Sequence, residues 1–250
     1  MKRCPLALAL ATALLLTTDA WSSPVTVYSG IDNGVVFGSA LPNANAAATT
    51  FGATVAGMGQ LLTTINFENT PLGAVGAGTN LGSGVTLSVG NTPNSRISAS
   101  QNINGTFNTT PGGRNFFSFV TQFVPLGTTA TATATFAFAS PIDAFGGYFS
   151  GLGSDTTFTL NFFDGSLQTL TLAGGSSATA MFFGFTDPGA GIASITLTDS
   201  WTNTAGNNFG YFVGVDDVQF SSAVPEPASM LLLGSGLVTL VARRRRSRRA

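Results

Sequence analysis

With 250 residues, 31 glycines, 21 phenylalanines and only 8% charged side chains, the chain has the length of one domain plus targeting segments. It has no histidine and a single cysteine, Cys4, which removes histidine acid–base work, Ser-His and Cys-His nucleophiles, His/Cys metal centres and disulfide frameworks from the body. Eight of the ten basic residues lie at the two ends; between Pro24 and Ala223 only Arg96 and Arg114 face nine carboxylates, and so acidic a body argues against nucleic acid as a partner.

The first element is a leader. Lys2 and Arg3 precede an apolar run from Leu6 to Leu16, and small or polar residues follow to Ala20. This order describes a secretory signal peptide over residues 1–20, with cleavage after Ala20 or, alternatively, after Ser22. Cys4 precedes the apolar run, whereas a lipid-modified cysteine would follow it.

Residues 21–62 form an N-terminal segment with one short helix, expected over Pro42 to Leu62. Asn43 or Asn45 can cap it, Ala46 to Ala48 propagate it, and Phe51, Val55, Met58 and Leu62 recur at spacings of three and four to make an apolar face. Gly52, Gly57 and Gly59 oppose a helix, and a disordered Ala/Gly linker is the alternative.

From Thr63 to Ser222 the pattern has period two. Ala130, Ala132, Ala134, Phe136 and Phe138 share one face of a strand over Thr129 to Phe138, with Thr129, Thr131, Thr133 and Thr135 on the other. Phe158, Leu160 and Phe162 alternate with Thr157, Thr159 and Asn161. Asp164-Gly165 then suits a tight hairpin turn in which both central residues take positive φ, returning along Gln168 to Leu172. Ala178 to Phe185, Ile192 to Thr198 and Phe209 to Phe220 add further strands. Short strands separated by Gly, Asn and Pro clusters predict a mainly β fold, a β-sandwich or jelly roll over residues 63–222, with phenylalanine supplying most of its core.

Within this body Glu68, Asp216 and Asp217 are the candidate ligands of a structural calcium ion, which takes oxygen donors only. Asp216 alternates with Val218 and Phe220, so it is expected to point inward, where a carboxylate needs a cation or hydrogen-bond donors. The alternative has Asp216 accepting backbone hydrogen bonds and Asp217 solvated. Asp143, Asp155, Asp164 and Asp187 could pair as glycosidase carboxylates, but all stand beside turn residues, where Asp ordinarily bends or caps the backbone. Tyr148, Trp201 and Tyr211 are candidate sugar-stacking platforms, with core packing as the alternative. Asn104-Gly105-Thr106 and Asn108-Thr109-Thr110 read as loop residues.

The last element spans residues 223–250. Val224-Pro225-Glu226-Pro227-Ala228 precedes an apolar stretch, expected to enter the membrane over residues 229–242, and Arg243, Arg244, Arg245 and Arg246 open a basic stop. The prolines favour an extended backbone that a protease groove can take, and the arginines hold the C-terminus in the cytoplasm. The string VPEPASMLLLGSGLVTLVARRRR resembles the PEP-CTERM sorting signal of Gram-negative bacteria. The resemblance implies processing by an exosortase, a membrane-embedded protease, and a link to exopolysaccharide and the biofilm matrix.

The strings INFENTPLG, FNTTPGG, PIDAFGGYFSGLG, FFDG, FFGFTD and GVDDVQF also occur in this order in an extracellular domain associated with PEP-CTERM proteins, which this body resembles. More distantly, NFE and VDDV are similar to the first and last strands of carbohydrate-binding jelly rolls, which implies chain ends that meet around a structural calcium. The expected protein is exported through the inner membrane, held there transiently and then moved to the cell surface or matrix. It is non-catalytic, with exosortase, the inner membrane and exopolysaccharide as partners. A lectin-like carbohydrate-binding module is the alternative, with a matrix glycosidase behind it.

Overall fold

The computed structural model describes residues 25–90, 94–99, 105–120, 124–152, 155–174, 178–189, 191–204 and 212–222. The signal peptide, the sorting tail with its membrane stretch, Asn104 and Tyr211 lie outside the described residues. In chain order the elements are β1 (Thr26–Asn33), α1 (Pro42–Gly57), β2 (Leu62–Ile65), β3 (Gly73–Ala74), β4 (Thr79–Gly82), β5 (Val85–Gly90), β6 (Arg96–Ser98) and β7 (Phe116–Val120). They continue with β8 (Thr129–Ser150), β9 (Thr156–Phe162), β10 (Leu167–Leu172), β11 (Thr179–Thr186), β12 (Ile192–Thr202) and β13 (Phe212–Ser222).

All strand pairs are antiparallel and form one continuous ladder in which β8 is the shared member. Its first half lies between β5 and β12; its second half lies between β11 and β13. The strand turns a corner between them around Pro141, so the ladder folds over its own core. Rings from strands that are not ladder neighbours meet there: Phe117 of β7 with Phe136 of β8 at 6.5 Å, and Phe158 of β9 with Phe183 of β11 at 4.8 Å. The mainly β sandwich expected from the sequence is present, and phenylalanine dominates its interior. Each fully buried ring contributes roughly 1.5–3 kcal/mol by area, and well-oriented pairs add about 0.5–1.5 kcal/mol.

The first half of β8 shows the expected alternation, with Ala130, Ala132, Ala134 and Phe136 buried and its threonines outward. Those threonines pair across to β12, Thr129 with Thr202 at 2.8 Å, Thr131 with Ser200 at 3.1 Å and Thr135 with Thr196 at 2.9 Å, the hydroxyl form of a cross-strand pair. The second half loses the alternation because both of its faces are covered. Phe145 and Phe149 enter the main core, while Ala144 and Tyr148 join a second cluster with Phe51 and Val55 of α1 and Phe182 of β11. Period-two reading therefore stopped at Phe138, twelve residues before the strand ends at Ser150.

The helix is shorter than expected. It ends at Gly57, and Leu62 opens β2 instead of continuing the apolar face. Neither Asn43 nor Asn45 caps it: Leu41 holds the N-cap position without a side-chain bond, and Pro42 follows. The free amides are met from β1. Asp32 accepts Asn43 N–H at 3.2 Å on Oδ1 and Ala44 N–H at 2.9 Å on Oδ2, a carboxylate placed where the helix dipole favours it. A Cβ on Gly30 would run into the Asn43 carbonyl, so glycine lets strand and helix approach this closely. β1 itself pairs with β11, which ties the N-terminal segment into the ladder.

The β9–β10 connection also differs. It runs over four residues, 163–166, and only Gly165 has positive φ, at 83°. Asp164 stays at negative φ because its carboxylate turns onto Ser166, accepting the amide at 2.8 Å and the hydroxyl at 2.6 Å.

Candidate functional site

The chain between β6 and β7 carries Asn108, Thr109, Thr110, Gly113, Arg114 and Asn115, and three carboxylates clasp it. Asp216 sits in β13 opposite Tyr148, on the side of the sheet that α1 and this loop cover, not on the core side with Val218. The reversal comes from a bulge: register shifts between Asp216 and Gln219, and Asp217 takes φ 44°. Asp216 Oδ2 accepts Thr109 N–H at 2.7 Å and Thr110 N–H at 3.0 Å, with the two threonine hydroxyls at 3.1 and 3.2 Å. The Thr110 hydroxyl is closer to Asp217 Oδ1, at 2.7 Å, and its one proton can serve only one of the two acids at a time.

Glu68 grips the other end of the loop. Its Oε1 accepts Arg114 N–H at 2.7 Å, Asn115 N–H at 2.8 Å and the Asn108 side-chain amide at 3.1 Å. A Cβ on Gly113 would collide with this carboxylate. Phe67, next to Glu68, has φ 59°, so both acidic anchors stand beside strained backbone.

The three acids expected from the sequence are thus brought to one loop, joined by loop residues that period-two reading could not connect to them. The string NTT at 108–110 is the available signal, a run of short donors in a loop. Two buried acceptors have no donor there, Asp216 Oδ1 and Asn108 Oδ1. Burial, and then the Asp217 charge, push Asp216 up to about 7 against the loop hydrogen bonds that pull it down. Burial also raises Asp217, with Glu68 adding to it against the Thr110 hydrogen bond. Among the described residues no group of three or more His, Cys, Asp or Glu side chains is placed to hold a metal ion; the carboxylates are spread along the loop. Beside them a cavity of about 170 Å³ opens between Phe37–Leu41 and Phe107–Gly112, with Ser39, Thr109 and Thr110 among its lining residues.

The other candidates lie elsewhere. Tyr148 donates to Asn45 Oδ1 at 2.7 Å, and its ring meets Phe182 edge-on at 5.4 Å. Burial, with Asp217 and Asp32 nearby, pushes its phenol up to about 12. Trp201 is half-buried on β12 opposite Ala130, on the far half of β8 from Tyr148. Asp155 and Asp164 bind backbone amides of Gly174 and Ser166. Asp143, a strand residue of β8, accepts the Gln60 side-chain amide at 2.6 Å and Gly189 N–H at 3.3 Å. Asp187 lies directly beyond it in the ladder, buried, and is raised by burial and then by the Asp143 charge.

Comparison with known proteins bears first on the tail. Residues 223–246 match the family model of the PEP-CTERM protein-sorting motif. No curated protein matches the chain. Among solved structures, TmCBM61 in complex with β-1,4-galactotriose is similar over 63% of this chain and 95% of its own, at 12% identity and TM-score 0.37. A variant of the family 29 carbohydrate-binding module CBM29-2 is similar over 68% of this chain and 94% of its own, at 9% identity and TM-score 0.37. The enzymatically active domain of bacteriophage CBA120 tailspike protein 4 is similar over 56% of this chain and 20% of its own, at 15% identity and TM-score 0.36.

Proposed function

We propose that the chain is an exported, non-catalytic surface protein of a Gram-negative bacterium. Its β body is delivered across the inner membrane, held there by residues 229–242 and the arginines from Arg243 to Arg246, and released by an exosortase acting at Val224 to Ala228. The observation that carries this reading is the sorting-motif match over residues 223–246. It is supported by the charge partition, since the acidic body and the arginine-rich end fit opposite sides of a membrane. Once released, the body joins the cell surface or the exopolysaccharide matrix. Replacing Pro225, Glu226 and Pro227 together by alanine tests the reading in the producing cells. Export should continue, while the full-length form accumulates in the inner-membrane fraction. Processing and release at the parent rate would sink it.

A second reading, a lectin-like module, is favoured by the hydroxyl-lined cavity between Phe37 and Thr110, a small concave site with convergent polar groups. Glycan-array binding by the mature chain that is lost in Thr109→Val would support it, and an array without hits would remove it. A structural calcium is a third component of the proposal. The donor-less Oδ1 atoms of Asp216 and Asn108 are the groups that would hold it, and the ion would tie loop to strand by neutralising the carboxylates.

A further inference from the structure

The sequence beyond Ser222, which the anchoring reading places in the membrane, continues from the end of β13. The strand registers bring six strands into a single row across the ladder: Leu167 beside Asn161, Phe162 beside Ile192, Ile192 beside Ile142, Ile142 beside Ser222, and Ser221 beside Leu62. In this row β9 and β13 end, β2, β10 and β12 begin, and β8 turns its corner. The row is therefore one rim of the sandwich, and the last described residue, Ser222, lies on it.

That rim carries large apolar side chains that the described residues leave exposed: Leu61 is 85% exposed, Phe163 69% and Leu167 67%. Phe163 is the notable case, since among the described residues no other phenylalanine is exposed. Its neighbour Asp164 is charged, and neither described arginine side chain stands in this row, so the rim has no cationic attraction for anionic headgroups. Any lipid contact it makes is apolar and depends on being held close.

The chain supplies that proximity. From Ser222 to Met230, where the apolar stretch is under way, there are eight residues, which can span at most about 28 Å when fully extended. β13 alone, at 11 residues, runs about 36 Å away from the rim. The tether is shorter than the strand it follows, so it holds the rim, and not the opposite end with exposed Leu126, over the bilayer. A contact too weak to form between free partners forms when a short linker supplies a high local concentration.

We propose that the rim around Leu61, Phe163 and Leu167 rests in the outer lipid headgroup region while the tail is in the membrane, so that the body stands on end above its own processing segment. The proposal depends on the anchoring reading given above. It also accounts for apolar side chains that no core claims, at the one end from which the tail leaves.

The chain's single cysteine makes the test direct. In full-length protein carrying Cys4→Ala, one cysteine is placed at Phe163→Cys or Leu61→Cys, with Leu126→Cys at the opposite end as the equally exposed control. Each is labelled with bimane and reconstituted into vesicles of phosphatidylethanolamine and phosphatidylglycerol containing nitroxide-labelled lipid. Quenching severalfold stronger at positions 61 and 163 than at 126 is expected. Equal quenching at all three positions, in protein that floats with the vesicles, overturns the rim contact and leaves anchoring intact. Protein that does not float with vesicles at all overturns the anchoring reading, and the rim contact with it.

Discussion

Asp216 gathers four donors on one oxygen and none on the other, but burial, and then the Asp217 charge, set its pH behaviour. The folded carboxyl sits at about 7, against an ordinary 3.8. The folded state therefore keeps a proton that the unfolded chain has released, and stability falls as pH rises from about 4 through 7. In chelator, the thermal midpoint of the mature chain should drop between pH 5 and pH 8. The upper bound is about 3 kcal/mol across that window, since about two of its pH units lie below the folded value and each is worth ~1.4 kcal/mol. Asp216→Asn should flatten that slope. If calcium occupies the site, millimolar calcium should restore the midpoint at pH 8 in the parent and not in Asp216→Asn. A midpoint indifferent to both pH and calcium would mean that Asp216 is ionised in the folded state as it is in the unfolded one, a carboxylate held by its loop donors alone. The sequence reading has Asp216 buried, as it is, but on the same face as Val218, because alternation cannot register the bulge at Asp217. The partners, more than a hundred residues away at Thr109 and Thr110, left no periodic trace.

Among the elements, α1 depends on a residue outside itself. Asp32 meets the amides of Asn43 and Ala44 from β1, so Asp32→Ala should cost about 1–2 kcal/mol, as loss of a helix cap does. The readout is the chemical denaturation midpoint together with the helical part of the circular dichroism. A variant as stable as the parent would show that Pro42 and burial of Phe51 alone hold the helix. The sequence favoured Asn43 and Asn45 as caps by residue type; both are instead engaged sideways, Asn43 to Asp32 and Ile31 and Asn45 to Tyr148. Strands exposed on one face were legible as period two. Of those covered on both, β11 lies within one residue of the expected strand at each end, whereas the second half of β8 escaped because, from Ile142 on, every position but Tyr148 is buried and no alternation remains. The four-residue turn at Asp164 escaped because the aspartate side chain chose its own backbone over positive φ.

At the scale of the molecule, the address is legible in the sequence and the activity is not. Sorting depends on composition in order along the chain: prolines around an acid, an apolar stretch, then arginines. No folding is needed to read it. A binding activity would depend on side chains gathered from distant strands, and the loop clasp at Asp216 and the cavity beside Phe37 form only when β13, β8 and the loop before β7 meet. On the sorting reading the C-terminal tail is removed before release. Intact mass and C-terminal sequencing of the protein recovered from the surface or matrix of its producing cells test it most directly. The account predicts a chain that begins near Trp21 and ends between Val224 and Ala228, with the arginines gone. A released protein that still ends at Ala250 would contradict it.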